Sequence, residues 1–196
     1  MKICPLVLAF LFYPNLQAQK TDLDLSKFNI SKFQNLREQG LNHYYLEDST
    51  KLKLEEYASL YQLTLNLPNS HYSYSYQYYK TTLGLKRSGM FFQRNLIGTH
   101  KLYDLEGDVI EEIQNDTAFT FTLNELDSAL IKDYDIHIMD MDKIIGVSME
   151  DSFKPVYGIA YSVDNNPFGM WRFIQIDGKT GEILQDFEKA YECRAK

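Results

Sequence analysis

The sequence predicts an α+β protein in which an antiparallel β-meander precedes a helix and a smaller antiparallel sheet. Residues 72–78 alternate between tyrosine and a serine or glutamine, which places the tyrosines on one face of a strand. Thr122 and Glu125 form a capping-box pair that predicts the start of a helix. Residues 177–181, Asp-Gly-Lys-Thr-Gly, predict a tight turn that joins the last two strands.

The amino terminus has the three parts of a secretory signal peptide, over residues 1–18. Lys2 supplies the positive charge, residues 3–13 form an apolar run broken only by Pro5, and Ala18 precedes the expected cleavage site. The run is too short for a membrane-spanning helix, which needs roughly 20 apolar residues. We therefore expect an extracytoplasmic mature chain, periplasmic or secreted, without a membrane span; an uncleaved apolar anchor is the alternative.

The formal charge limits the classes of partner. The chain has 27 Asp and Glu residues against 20 Lys and Arg residues, which gives a net charge of −7. Because its basic residues are scattered, no basic patch could neutralise a run of phosphates, and we expect no nucleic-acid partner. A negative surface favours solubility, or a basic protein partner.

Residues 19–40 are predicted to form a leader and a short helix. Residues 19–29 are polar and are interpreted as a flexible leader. Residues 29–39 form the predicted helix, because apolar residues recur at three-residue spacing and Gly40 follows as a stop signal. The apolar positions are Ile30, Phe33 and Leu36.

Residues 41–121 are predicted to form the β-meander. Short apolar or aromatic runs are separated by turn signals, which is typical of a rolled antiparallel sheet. Gly107 lies in the turn of residues 103–108 and can adopt positive φ. The predicted strands are residues 41–46, 51–57, 61–67, 72–79, 81–85, 90–94, 97–103 and 109–113.

Residues 122–196 are predicted to form the helix and the smaller sheet. Over residues 122–134, Leu123, Leu126 and Leu130 line one helical face. The tail, residues 188–196, is interpreted as a helical turn or a frayed end. The predicted strands are residues 143–149, 155–163, 171–176 and 182–187.

The last third of the chain resembles a PepSY-type domain. The resemblance lies in residues 155–159, Pro-Val-Tyr-Gly-Ile, and in residues 171–183, which contain a strand, the Asp-x-x-Thr-Gly turn and the beginning of the next strand. It implies a helix followed by an antiparallel sheet. It also implies a role in restraining or binding other proteins, because such domains occur in propeptides of secreted proteases and in cell-envelope proteins.

A second segment resembles a single MORN-type repeat unit. Residues 97–110 contain a glycine, a Tyr-Asp turn and a further glycine before the next strand. Bacterial chains with such repeats include antitoxin-like proteins. The earlier strands do not repeat these glycines.

The tyrosine stripe is the candidate partner-binding surface. Its two interpretations are an exposed aromatic platform for a partner and an inner face that belongs to the core. In the predicted strand of residues 171–176, Trp171 and Arg172 lie on opposite faces, and we expect Trp171 in the core and Arg172 near a carboxylate of the partner. The candidate partner-binding residues are Tyr72, Tyr74, Tyr76, Tyr78 and Arg172.

The sequence has no recognisable catalytic constellation. It lacks the nucleophile elbow and the zinc-protease motif, and the Gly-Lys-Thr triplet at 178–180 lacks both the glycine and the helix of a phosphate-binding loop. Cys193 has no histidine nearby in the sequence. We expect no enzyme activity, cofactor or metal; the alternative is a cation bound by the acidic stretch Asp133, Asp135, His137, Asp140 and Asp142.

These observations favour an exported, non-enzymatic protein that binds or inhibits another protein in the cell envelope. An immunity-type inhibitor of a delivered toxin is one form of that function. The alternatives are a structural or surface-associated envelope component without an inhibitory target, and an enzyme of unfamiliar type.

We expect native protein to begin immediately after Ala18, because the apolar run and the small residue direct signal-peptidase cleavage there. Intact-mass measurement on protein from the extracytoplasmic fraction checks this expectation. Recovery of the protein from the cytosol with Met1 retained would contradict it.

Overall fold

The computed structural model of the chain describes residues 23–143, 145–150 and 154–190. Within this part of the chain, the regular structure consists of two antiparallel sheets and two helices. The predicted α+β class is therefore confirmed at this level.

The larger sheet is a meander in which each strand pairs with the next strand in the sequence. One face is apolar because alternate residues of neighbouring strands are in register, as in the row formed by Leu52, Leu65, Tyr74 and Met90. The strands are His43–Tyr45 (β1), Lys51–Glu56 (β2), Leu60–Asn66 (β3), Tyr72–Tyr79 (β4), Leu85–Phe92 (β5), Asn95–Tyr103 (β6) and Val109–Gln114 (β7).

The first helix, Ile30–Glu38 (α1), covers one half of that apolar face. Phe33 and Leu36 are buried against the sheet, and the Asn29 side chain caps the helix by accepting a hydrogen bond from a first-turn amide. The helix predicted over residues 29–39 is confirmed.

The segment before α1 belongs to the core, so the flexible leader predicted over residues 19–29 is wrong where the structure describes it. Phe28 is 4% exposed, and its ring stacks on Tyr61 with centroids 4.6 Å apart. Its backbone N–H also donates to the Leu83 carbonyl at 2.8 Å. The polar composition conceals three apolar residues, Leu23, Leu25 and Phe28, that pack into the same cluster.

The smaller sheet has the strand order β11-β10-β9-β8. The second helix, Leu123–Tyr134 (α2), covers its inner face with Leu126 and Leu130, and the predicted capping box of Thr122 is present. The strands are Ile145–Glu150 (β8), Val156–Ser162 (β9), Met170–Asp177 (β10) and Ile183–Ala190 (β11).

Two side-chain amides, Gln93 and Asn95, connect the sheets; we call them the amide clamp. Gln93 accepts a hydrogen bond from the Val147 amide at 2.8 Å and donates to the Ile145 carbonyl at 3.3 Å. Asn95 donates to the Val147 carbonyl at 2.8 Å and accepts from the Met149 amide at 2.9 Å. The clamp therefore satisfies four backbone groups on the outer edge of β8, as a neighbouring strand would.

Aspartate side chains shape two of the hairpin turns. The Asp104 Oδ1 accepts hydrogen bonds from the amides of residues 106, 107 and 108, and Gly107 has φ 96°. The Asp177 Oδ1 accepts from the amides of residues 179 and 180, and Gly181 has φ 75°. Both predicted turns are confirmed.

Two stretches differ from the sequence-based prediction. In place of the two strands predicted at residues 81–85 and 90–94 there is one strand, β5, which begins at Leu85 and ends at Phe92; residues 81–84 and 93–94 lie outside it. The tail from residue 188 continues as β11 as far as Ala190, whereas residues 191–196 lie outside the described part.

Neither described helix has the length and apolar character that crossing a membrane requires.

Replacing Asn95 with alanine removes two hydrogen bonds from the β8 edge and should lower the free energy of unfolding by about 1–3 kcal/mol. Urea denaturation followed by circular dichroism measures the change. The control is Arg94→Ala, an exposed position in the same turn, which should stay within about 0.5 kcal/mol of the parent. Equal stability of the parent and the Asn95 variant would contradict a stabilising clamp.

Candidate functional site

The four stripe tyrosines lie on the apolar, covered face of the larger sheet. Tyr72 packs against Phe92 with ring centroids 5.1 Å apart, whereas Tyr74 and Tyr76 pack, half-buried, against the cluster below α1. Tyr78 is fully buried. Of the two interpretations of the stripe, the structure agrees with the one that assigns it to the inner face of the sheet.

Tyr78 offers no surface to a partner, so the partner-binding role predicted for it requires correction. Its hydroxyl donates to the Leu25 carbonyl at 3.2 Å, and its ring lies 5.4 Å from that of Phe28. Burial raises the pKa of Tyr78 and raises the pKa of Tyr76 to about 12, so both phenols stay neutral at physiological pH.

Arg172 is bound within its own chain. Its guanidinium forms a two-pronged ion pair with Asp186, with both N–O distances 2.7 Å, and lies 4.9 Å from the centroid of the Tyr134 ring. The ion pair raises the pKa of Arg172 and lowers that of Asp186. The carboxylate that the sequence led us to expect on a partner is therefore supplied by β11.

The acidic stretch of residues 133–142 forms the connection between α2 and β8. The His137 Nδ1 lies 2.9 Å from an oxygen of Asp127, and the Asp140 side chain accepts a hydrogen bond from the Asp142 amide at 2.9 Å. Within the described residues, no three His, Cys, Asp or Glu side chains are grouped so that they could hold a metal ion.

His100 is an unusual buried residue on the outward face of the larger sheet. It is 7% exposed, and among the described residues neither ring nitrogen has a hydrogen-bond partner. The Cβ of His100 lies close to Gly89 on the neighbouring strand β5. Burial lowers the pKa of His100, Arg87 lowers it further, and Glu111 opposes the shift. The imidazole is therefore held in its neutral form.

A cavity of about 270 Å³ lies below the segment that precedes α1. Pockets for small ligands usually have volumes of roughly 300–1,000 Å³, so this cavity is below that range. Most of its lining is apolar or aromatic. The lining residues are Leu23, Asp24, Lys27, Phe28, Asn29, Tyr44, Leu54, Leu63 and Tyr78.

The outer face of the smaller sheet is the strongest candidate for a functional surface. It is the face opposite α2, and no described element packs over it. Small residues form its floor on β8 and β9, and larger residues form a raised border on β10 and β11. The outer face consists of Gly146, Ser148, Gly158, Ala160, Ser162, Trp171, Phe173, Gln175, Gln185, Phe187 and Lys189.

Three aromatic side chains form the raised border. The rings of Phe173 and Phe187 stack with centroids 5.4 Å apart and an interplanar angle of 17°, and Phe187 is 49% exposed. Trp171 lies two residues before Phe173, and its indole N–H donates to the Pro167 carbonyl at 3.1 Å. These contacts fix the orientations of the aromatic rings before any partner arrives.

The floor remains low because of the residue types on β9. A Cβ at Gly158 would collide with the Ser148 Oγ, and Ala160 pairs with Gly146 across the strands. The residues on this part of the face have side chains of at most two heavy atoms. The outer face is therefore uneven: aromatic rings project from β10 and β11, whereas β8 and β9 expose mainly backbone and small side chains.

The sequence analysis missed this surface because it assigned Trp171 to the core, which is wrong. Trp171 and Phe173 share the face away from α2, whereas Ile174 is buried below the helix. A signal was available on β9, where large residues alternate with glycine, alanine and serine over residues 157–162. That alternation identifies a tightly packed face and an opposite face without bulky side chains.

The outer face carries residue types that protein interfaces commonly use. Aromatic residues are enriched at the centres of protein interfaces, and large exposed apolar patches commonly mark interaction sites. Phe187 is 49% exposed and Trp171 and Phe173 are half-buried, so Phe187 offers the largest apolar area to a partner. The neighbouring amides of Gln175 and Gln185 can supply polar contacts at the rim.

The stability of the protein should decrease below pH 6.5, partly through His100. Because the folded state lowers the pKa of His100, only the unfolded chain gains a proton as the pH falls through the ordinary value of 6.5. Urea denaturation between pH 5 and 8 measures this dependence, which should be shallower in His100→Leu. Parallel curves for the parent and the variant would contradict a neutral, buried imidazole.

Comparisons with protein-family models, with curated proteins and with solved structures returned no match to this chain. The PepSY-type and MORN-type resemblances therefore remain predictions.

Proposed function

We propose that this chain is an exported, non-enzymatic protein that binds another protein in the cell envelope through the outer face of the smaller sheet. The observation that carries the proposal is the aromatic border of Trp171, Phe173 and Phe187 on an uncovered sheet face. An immunity-type inhibitor is one specific form of this function.

The energetics of the outer face support a macromolecular partner. The aromatic rings are held by stacking and by the indole hydrogen bond, so their ordering costs little when a partner binds. Burying them removes apolar surface from water, which stabilises a complex by roughly 25 cal/mol per Å² before the costs of association.

The charge of the chain supports a basic partner. The net charge is −7, and Glu188, which lies on the face of β11 opposite the aromatic border, keeps 47% of its side chain exposed. Complementary charge increases the rate at which two proteins meet and disfavours acidic competitors.

The PepSY-type resemblance supports the same function. It covers β9, β10 and the beginning of β11, which carry the outer face. Domains of that family are associated with restraining or binding other proteins. A structural envelope component without an inhibitory target remains the alternative function.

Site-specific photo-crosslinking tests the proposal in cells that express the full chain. A benzophenone amino acid replaces Phe187, and we expect one discrete covalent adduct with an envelope protein after irradiation. The adduct should weaken several-fold when Phe173→Ala is added, because truncating a central aromatic residue commonly costs more than about 1 kcal/mol of binding free energy.

The control places the same amino acid at Tyr45, which is exposed on β1 of the larger sheet. Adducts of the same mass and intensity from both positions, or from neither, would contradict a binding role for the outer face. Gene deletion separates the two functions: increased killing by competitors with an intact envelope favours an inhibitor, whereas a weakened envelope with unchanged survival favours the structural alternative.

A further inference from the structure

The two edges of the smaller sheet differ. At the β8 edge, the amide clamp binds the carbonyls of Ile145 and Val147 and the amides of Val147 and Met149. At the other edge, β11 pairs only with β10 among the described residues, and every residue from Ile183 to Ala190 is exposed. The open edge is therefore β11.

The geometry of β11 suits the addition of another strand. From Gln185 to Ala190 it follows the register of β10 without interruption, because the single irregularity lies before this stretch. A regular edge strand presents unpaired N–H and C=O groups at alternate residues, and these groups can bind a further extended segment. The aromatic border lies directly beside this edge.

The side chains of β11 separate into two chemically distinct rows. Gln185, Phe187 and Lys189 lie on the outer face, and the exposed ring of Phe187 is the apolar contact of that row. Asp186 and Glu188 lie on the opposite face beside Arg172. Asp186 is already bound there by the Arg172 guanidinium at 2.7 Å and by the Tyr134 hydroxyl at 3.0 Å, whereas Glu188 is 3.6 Å from Arg172 and 47% exposed. The outer row therefore favours an apolar neighbour at Phe187, and Glu188 is the carboxylate that can accept a cation on the opposite face.

A second copy of the chain fits this edge poorly. Antiparallel pairing of two β11 strands about Phe187 places Asp186 of each copy opposite Glu188 of the other. Pairing about Asp186 or about Glu188 places two identical carboxylates opposite each other. Like charges directly opposite each other on neighbouring strands are destabilising, so the edge disfavours self-association.

We propose that β11 is a strand-addition site for an extended segment of a basic partner protein in which apolar side chains alternate with lysine or arginine. The apolar side chains lie beside Phe187 on the outer face, and a basic side chain lies beside Glu188 on the opposite face. This inference rests on the proposed function, because it specifies how the same surface binds its partner.

The test uses a fluorescein-labelled peptide of four Val-Lys repeats with blocked termini, titrated with the full-length exported protein. Fluorescence anisotropy should report saturable binding. A peptide of the same composition with its valines and lysines in two blocks should bind at least about tenfold more weakly, because it cannot place both side-chain types in register.

Two methylated peptides test the backbone contacts. One carries N-methyl groups on every valine, and the other carries them on every lysine. In a paired strand, alternate amides point toward the neighbouring strand, so one of the two peptides should lose binding while the other keeps it. Equal affinities, or an equal loss in both peptides, would overturn strand addition.

Two charge reversals locate the edge. Glu188→Lys should weaken binding of the alternating peptide about tenfold, because it replaces an attractive cross-strand pair with a repulsive one. Glu111→Lys makes the same change on β7, the exposed edge strand of the larger sheet, and should leave the affinity within about twofold. A similar loss in both variants would assign the binding to net charge and overturn the inference.

The outcomes separate this inference from the proposed function. If the peptide does not bind but the crosslinked adduct at Phe187 persists, strand addition is wrong and the binding function stands. If neither the peptide nor a crosslinked partner is found, both are wrong. Circular dichroism and urea midpoints equal to those of the parent confirm that Glu188→Lys and Glu111→Lys are folded.

Discussion

The two sheets depend on the amide clamp. Gln93 lies in the turn between β5 and β6, and Asn95 is the first residue of β6, so the larger sheet supplies both side chains, and the smaller sheet supplies the backbone that they bind. Phe92 and Ile97 on either side of this turn belong to the same hydrophobic cluster as α2 and the smaller sheet. The clamp thus joins the sheets, completes a core and closes one edge, which leaves β11 as the open edge.

The aromatic residues are divided between two roles by the faces on which they lie. Tyr74, Tyr76 and Tyr78 face α1 and its preceding segment and are half-buried or fully buried. Trp171 and Phe173 lie on a face that no described element covers. Residue type is similar in both sets, so the position of the covering helix determines which aromatic residues stabilise the fold and which are available to a partner.

Local patterns predicted the elements that are determined locally. The capping box of Thr122, the alternation of residues 72–78 and the Asp177 turn each depend on neighbours within a few residues, and each was predicted from the sequence. The orientation of Trp171 was not predicted correctly, because it depends on which face of the smaller sheet α2 covers. The ion pair of Arg172 with Asp186 likewise joins two strands whose pairing no local pattern reveals.

Phe28 is buried although it lies close to the amino terminus, and this limits how much of the amino-terminal segment can be removed. The Leu25 carbonyl accepts a hydrogen bond from Tyr78 of the larger sheet, and the Phe28 ring stacks on Tyr61 of the same sheet. Removal of the chain up to and including Phe28 would therefore uncover both tyrosines and leave the core incomplete. Cleavage at the predicted site after Ala18 lies upstream of Leu23, the first described residue of this cluster, and keeps the cluster whole.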